Sequence, residues 1–304
     1  MMIGQFMSEK IELLGTVLLG EYRDIVCELT KMQHSLALSS GWHYLLDWAW
    51  VISNLGDVTG KTILDAGAGI GLLQWYLAKQ GANIISVDRL KRNCIPFHLI
   101  KRFNISGYTP QDEPLSMLDM LNLTNRKASF PVRMKSLVRG LVGESRLSRL
   151  PYQKTQGSVS IYNHDLRFMD DIPNESVDII VSISALEHNI TIGDVRTIIM
   201  ELMRIIKPGG IMLITLPASN NGDWFFNPAF SWCFCEDTLR NLFGFSEDIP
   251  SNFNEYESLI NGLKQSDELK KNLAWDYYLR PNTGMPWGIW KPQYMPVGVL
   301  KIKI

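Results

Sequence analysis

The sequence predicts an α/β fold: a doubly wound, mainly parallel sheet with helices against its faces. Three observations predict it. From Lys61 onward, short apolar runs alternate with longer amphipathic stretches. A glycine-rich turn, Gly67-Ala68-Gly69-Ile70-Gly71, joins the first run to the stretch that follows it. A second turn, Lys207-Pro208-Gly209-Gly210, closes an amphipathic stretch before another apolar run. Alternation of this kind implies βαβ units, whose crossovers are right-handed.

Each element follows from its pattern. Residues 9–55 read as helical, with Ile11, Leu14, Leu18 and Leu19 at helical spacing, so residues 1–58 are expected to form an N-terminal helical cap. Strands are expected at Thr62–Leu64, Ile84–Val87, Ser158–Tyr162, Asp178–Ser182 and Gly210–Leu216, and helices at Leu72–Lys79 and Val195–Ile206. In the second helix Val195, Ile198, Ile199, Leu202, Ile205 and Ile206 share one face, and Asp194 is placed to cap its start. The main domain then runs over residues 59–304, with an insertion at about 104–157 and an aromatic-rich part at about 218–304. The insertion carries eight Lys/Arg against four Asp/Glu and reads as partly helical. Additions at strand ends of an open α/β sheet shape the substrate mouth, so it is expected to form a cap there.

Composition removes several classes. With 46% hydrophobic and 20% charged residues the chain can bury a core, which excludes global disorder. Thirty basic against 31 acidic side chains argue against a protein built to coat nucleic acid, and no nucleic-acid partner is expected. No apolar run approaches the ~18 residues needed to span a bilayer, so no integral membrane association is expected. Cys27, Cys94, Cys233 and Cys235 lack the spacing of a disulfide framework or a zinc site; no metal is expected, and a reducing, cytoplasmic setting fits best.

The glycine turn is the most informative segment. An expected strand ends at Asp65, the glycines allow a ligand to approach the main chain, and the next helix begins near Leu72. Asp88, 21 residues beyond Gly67, closes the following strand, where an acid accepts both hydrogen bonds from a ribose diol. A nucleoside-type cofactor follows. A dinucleotide fingerprint wants glycine at position 72, which is Leu72, and Gly71 falls one place early. That spacing suits a cofactor without a pyrophosphate, whose ammonium-bearing tail a carboxylate such as Asp65 accommodates.

Asp65-Ala66-Gly67-Ala68-Gly69-Ile70-Gly71 resembles the first motif of the class I S-adenosylmethionine (SAM) dependent methyltransferases. His164-Asp165-Leu166 resembles the family's acidic motif at the adenine. Ser176–Ser182 followed by Ala185-Leu186-Glu187-His188 resembles its small-molecule branch, which includes ubiquinone-biosynthesis enzymes. Arg204–Gly210 resembles the turn before a later strand. The resemblance covers about residues 61–216 without the insertion. It implies a Rossmann-like sheet of about seven strands and SAM as cofactor. It places Gly67, Gly69 and Gly71 along the methionine and ribose, Asp88 at the ribose hydroxyls and Arg89 beside the adenine. Asp165 then meets the adenine amino group, Leu166 packs on the ring, and Ser182 and Ile183 line the methionyl side.

The expected activity is methyl transfer to a small-molecule acceptor (a sugar, lipid intermediate or secondary metabolite), most readily at oxygen. His188, just past a strand end at the cofactor edge, is the candidate general base. Trp42, His43 and Tyr44 upstream of the glycine turn, and Trp224 and Trp232 downstream, are candidate acceptor contacts; plain packing is the competing reading for each. The basic residues Arg126, Lys127, Arg133, Lys135, Arg139, Arg146 and Arg149 are by default a solvated face. Two other functions stay open: an NAD(P)-dependent oxidoreductase, against which Leu72 counts, and a non-catalytic SAM-binding sensor or scaffold.

Overall fold

The structure, a computed structural model, describes residues 8–38, 40–95, 97–115, 156–279 and 290–304. In chain order these form β1 (Lys10–Leu13), α1 (Val17–Glu21), α2 (Arg23–Ser35), α3 (Tyr44–Ser53), β2 (Thr62–Ala66), α4 (Leu72–Lys79), β3 (Asn83–Val87), α5 (Phe97–Arg102) and β4 (Asn104–Gly107). There follow β5 (Ser158–Tyr162), β6 (Val177–Ile183), α6 (Ile192–Ile205), β7 (Ile206–Ala218), β8 (Trp224–Phe226), β9 (Ser231–Cys233), α7 (Glu236–Phe243), α8 (Tyr256–Gln265), α9 (Asp267–Leu279) and β10 (Met295–Ile302).

One sheet of eight strands runs in the order β1-β10-β7-β6-β2-β3-β5-β4, so the expected mainly parallel, doubly wound α/β sheet is present with one strand more than the resemblance implied. From β7 to β4 every pairing is parallel; β10 is antiparallel to both its neighbours. From β2 the chain moves outward to β3 and on to β4 at the edge, steps back to β5 between those two, then crosses to β6 on the other side of β2. Between β2 and β6 the order reverses, and the crevice above such a switch point is where open α/β sheets take ligands. The core strands are apolar on both faces, as in β6, where Val177 and five consecutive residues Ile179–Ile183 are buried.

Three local expectations are corrected. Residues 10–13 are a strand, because Ile11 and Leu13 bury alternately against β10 while Lys10 and Glu12 face outward. Thr191, not Asp194, caps α6: the Thr191 hydroxyl accepts from Asp194 N–H at 3.0 Å, and Asp194 answers as the third residue of a capping box. The turn at 207–210 stays inside the ladder as an irregularity of the β6–β7 pairing rather than leaving it.

The N-terminal helices lie on the sheet. Trp50 of α3 is 1% exposed and covers β10 so closely that a Cβ at Gly298 would come within 2.5 Å of the indole. Only the start of α3 reaches the crevice. No helix among the described residues is long and apolar enough to cross a membrane.

Candidate active site

β2 delivers the chain to Gly67 and Gly69, both in left-handed backbone at φ +76° and +50°. A Cβ at Gly67 would lie 2.2 Å from the Cβ of Ala185, so only glycine lets the turns after β2 and β6 meet. The N–H groups of Gly67 and Ala68 donate to the Val87 carbonyl at 2.9 and 3.0 Å, and Gly71 N–H donates to Ala68 O at 2.8 Å.

Two buried polar side chains hold this loop from beneath. Gln74 Nε2 donates to the carbonyls of Ala68, Gly69 and Gly71 at 3.4, 3.3 and 3.1 Å, while its Oε1 accepts from Ser86 Oγ at 2.7 Å. The Arg92 guanidinium donates to Gly69 O at 2.9 Å, to Ser86 Oγ and O at 2.6 Å each, and to Tyr162 O at 3.1 Å. One cation thus ties together the ends of β2, β3 and β5. Sequence reasoning passed over both residues, since their partners converge only in the folded sheet; a charged residue four places past a strand-end acid is no signal by itself. Asp65 lies in the same layer, 4% exposed. Burial pushes its carboxyl up to about 7, with Arg92 pulling it down and Asp88 pushing it further up.

Above the loop is a cavity of about 290 Å³, near the lower end of small-molecule sites. It brings together seven of the expected residues: Tyr44, Gly67, Asp88, Arg89, Asp165, Leu166 and His188. Asp88 accepts the N–H of Gly69 on one oxygen and that of Leu90 on the other, both at 2.8 Å, which fixes the carboxylate while leaving each oxygen a further lone pair. Asp165 is gripped by Arg167, whose Nε and Nη2 lie 3.0 and 2.7 Å from its two oxygens, and Arg167 also reaches Asp194 at 2.8 Å. Hydrogen bonding by Arg167 holds the Asp165 carboxyl below the usual range, so it presents acceptors only.

These features fit an adenosyl group. Asp88 offers paired acceptors for a diol, Asp165 an acceptor for an amino group, Leu166 and Ile198 an apolar wall, and Gly67 a face with no Cβ.

The turn after β6 supplies the opposite wall. Ser182 is fully buried and donates to Ala66 O at 2.8 Å, and Ile183 is 9% exposed; both stay within the sheet, while Ser184 and Ala185 line the cavity. Ser184 is left-handed at φ +47°, which swings the chain into the short turn Leu186–His188. There the Nδ1–H of His188 donates to the Phe230 carbonyl at 2.9 Å, since a carbonyl only accepts. In the neutral ring Nε2 is then the free acceptor. It lies 3.9 Å from Oε1 of Glu187, a carboxyl that is 1% exposed and whose other oxygen has no partner. Burial raises the Glu187 carboxyl, and His188 opposes that shift.

The acceptor candidates separate. Tyr44 lines the cavity. Trp42 is fully buried with its Nε1–H 3.2 Å from Tyr294 Oη, and His43 Nδ1 is buried 2.7 Å from Asp47 Oδ2; both belong to the packing of α3. Trp232 donates from Nε1 to the carbonyl of the cavity residue Asn189 at 3.2 Å, and Trp224 packs edge-on against Phe226. Arg126, Lys127, Arg133, Lys135, Arg139, Arg146 and Arg149 lie outside the described residues.

Residues 144–214 match the family described as Methyltransferase domain. Among curated proteins, the tRNA U34 carboxymethyltransferase of Pasteurella multocida is 22% identical over 272 residues, covering 86% of this chain and 75% of the relative. The enzyme of the same name from Psychrobacter sp. is 24% identical over 247 residues, 77% of this chain and 63% of its own. The Alteromonas mediterranea protein of that name is 32% identical over 94 residues, and the match spans only 28% of its length. A SAM-dependent methyltransferase structure from Methanosarcina mazei shares 12% identity over 84% of this chain and 97% of its own, with a TM-score of 0.43. These relatives overturn the expectation of a small-molecule acceptor with no nucleic acid as partner. A total of −1 averages over the chain and says nothing of a local cluster.

Proposed function

We propose that this chain, a class I SAM-dependent methyltransferase in fold and motif, modifies a nucleobase of tRNA. The observation that carries the acceptor is the alignment with tRNA U34 carboxymethyltransferases over 86% of the chain. The sequence supports it. Between residues 126 and 149 seven Lys/Arg stand against the single acid Glu144, a density suited to a phosphate backbone.

SAM, when bound, supplies an electrophilic carbon on a sulfonium. The chain's residues do the rest. The glycine loop, locked by Gln74 and Arg92, and the acids Asp88 and Asp165 hold the adenosyl portion in one orientation, which is where most of the rate advantage of such a displacement arises. His188 takes the acceptor's proton at Nε2. The Phe230 carbonyl fixes its tautomer, and the buried Glu187 stabilises the imidazolium that forms. The group transferred from SAM is a methyl; transfer of a carboxymethyl, as the relatives' name has it, would require a donor whose sulfonium carries that group in place of the methyl.

The test is transfer of label from SAM to unmodified tRNA, followed by nuclease digestion and mass spectrometry of the nucleosides. The expected product is a uridine that has gained one alkyl group. Replacing His188 by Ala should lower kcat about 100-fold, with the SAM dissociation constant unchanged. Purified protein that binds SAM but leaves every tRNA nucleoside at its original mass would overturn the acceptor assignment.

A further inference from the structure

The hairpin of β8 and β9 carries a residue that neither packing nor backbone preference explains. Phe230 sits at its tip with φ +50° and ψ +57°, a left-handed position that favours glycine or asparagine and strains an aromatic residue. It is 46% exposed, so burial does not compensate. Its ring meets Phe225 edge-on at 5.1 Å, and Phe225 in turn meets Trp232 at 5.1 Å, so the hairpin ends in three linked aromatic rings. Its carbonyl holds His188, which ties this tip to the wall of the cavity.

The rest of the rim has the same character. Seven large apolar side chains are exposed among the described residues; one of them lines the cavity and three more adjoin or contact lining residues. Leu90 lines it, Phe168 follows the lining residue Leu166 by two places, Ile190 follows the lining residue Asn189, and Phe230 holds His188. Beside Leu90 stand Arg89 and Lys91, both exposed, and Lys91 has no ion pair among the described residues. A mouth with apolar faces and cations matches an unpaired nucleotide, whose base needs a flat face and whose phosphates need charge.

We infer that Phe230 is the platform on which the unstacked acceptor base lies beside His188, with Arg89 and Lys91 meeting the flanking phosphates. This rests on the tRNA reading above. The strain at Phe230 is then a retained cost of presenting a ring at a turn where glycine would sit more comfortably.

The test uses the full-length protein and a fluorescein-labelled anticodon stem-loop RNA with uridine at position 34, read by anisotropy without cofactor. The Phe230→Gly variant removes the ring and relieves the backbone together. Its melting temperature should equal or exceed that of the wild type, while affinity for the stem-loop falls about tenfold. Phe230→Trp should stay within about twofold of wild type. An RNA with an abasic site at position 34 should lose about as much affinity for the wild type as the variant loses for intact RNA, and the variant should lose nothing further. Equal binding of intact RNA by wild type and Phe230→Gly overturns the platform and leaves the tRNA reading standing. Failure of the wild type to bind the stem-loop at all overturns both.

Discussion

Asp65 shows how one side chain at this site sets stability against function. Its carboxyl ionises near 7 in the folded chain, against 3.8 as the ordinary value, because burial disfavours the charge. A raised carboxyl binds more protons folded than unfolded between those two values. The stabilisation is therefore complete below about pH 4 and is lost as pH climbs through 7, amounting to up to ~4 kcal/mol. Asp65→Asn cannot ionise. Thermal melts should show the variant gaining on the wild type from pH 5 to pH 8, and a gap that stays constant over that interval would refute the linkage. The same residue was legible in the sequence as the acid before the glycine turn, as were Gly67, Asp88 and Asp165, because strand ends announce themselves by where apolar runs stop. Trp42 and His43 were not separable from Tyr44 in that way. All three occupy consecutive positions, and only the packing of α3 decides that the tyrosine faces the crevice while the other two face the core.

At the level of elements, the site is a junction of strand ends, three of them fastened by Arg92. The guanidinium meets three carbonyls and a hydroxyl contributed by the β2, β3 and β5 ends, a fork that a lysine cannot reproduce. Arg92→Lys keeps the charge near Asp65 but leaves part of that set without donors. Calorimetric titration should find SAM binding weakened about tenfold; an unchanged dissociation constant would show that the loop holds its shape without Arg92. The five parallel strands expected were readable from their short apolar segments, continuous where both faces are buried, as in β6, and alternating in β5. β4 was hidden inside the insertion, since Asn104–Gly107 is an edge strand with no fully buried residue. β10 was missed because Pro296 and Gly298 read as breakers. Pro296 lies opposite Pro217 of β7, where neither residue has an N–H to donate, and just past the end of the β1 pairing at Val297.

Taken whole, the molecule closes on itself at the edge of the sheet, where the first strand pairs with the last. Lys10 lies opposite Leu300 and Leu13 opposite Val297, and Glu9 bonds both the Lys301 ammonium at 2.9 Å and the Ile302 N–H at 3.1 Å. Contacts so remote in sequence carry the largest loop-closure cost in the sheet, a cost that grows only slowly with the length of chain enclosed. The N-terminal layer is locked to this edge by Trp50, whose Nε1–H donates to Glu12 Oε2 at 2.8 Å and whose ring lies over Gly298. A methyl group at 298 has nowhere to go: the indole is 1% exposed, held by its own hydrogen bond, and would stand 2.5–2.6 Å away. Gly298→Ala should therefore cost about 1–3 kcal/mol, seen as a melting temperature lower by several degrees. Trp50→Phe leaves a smaller ring above position 298, so the double variant should be less destabilised than the sum of the two single ones. Strict additivity would mean that the strand shifts to admit the methyl group, and that the seam between the two ends of the chain is softer than its packing implies. With the seam intact, α3 is fixed against the sheet and Tyr44 is held at the crevice, so substitutions at 298 should weaken SAM binding only to the extent that they free the start of α3.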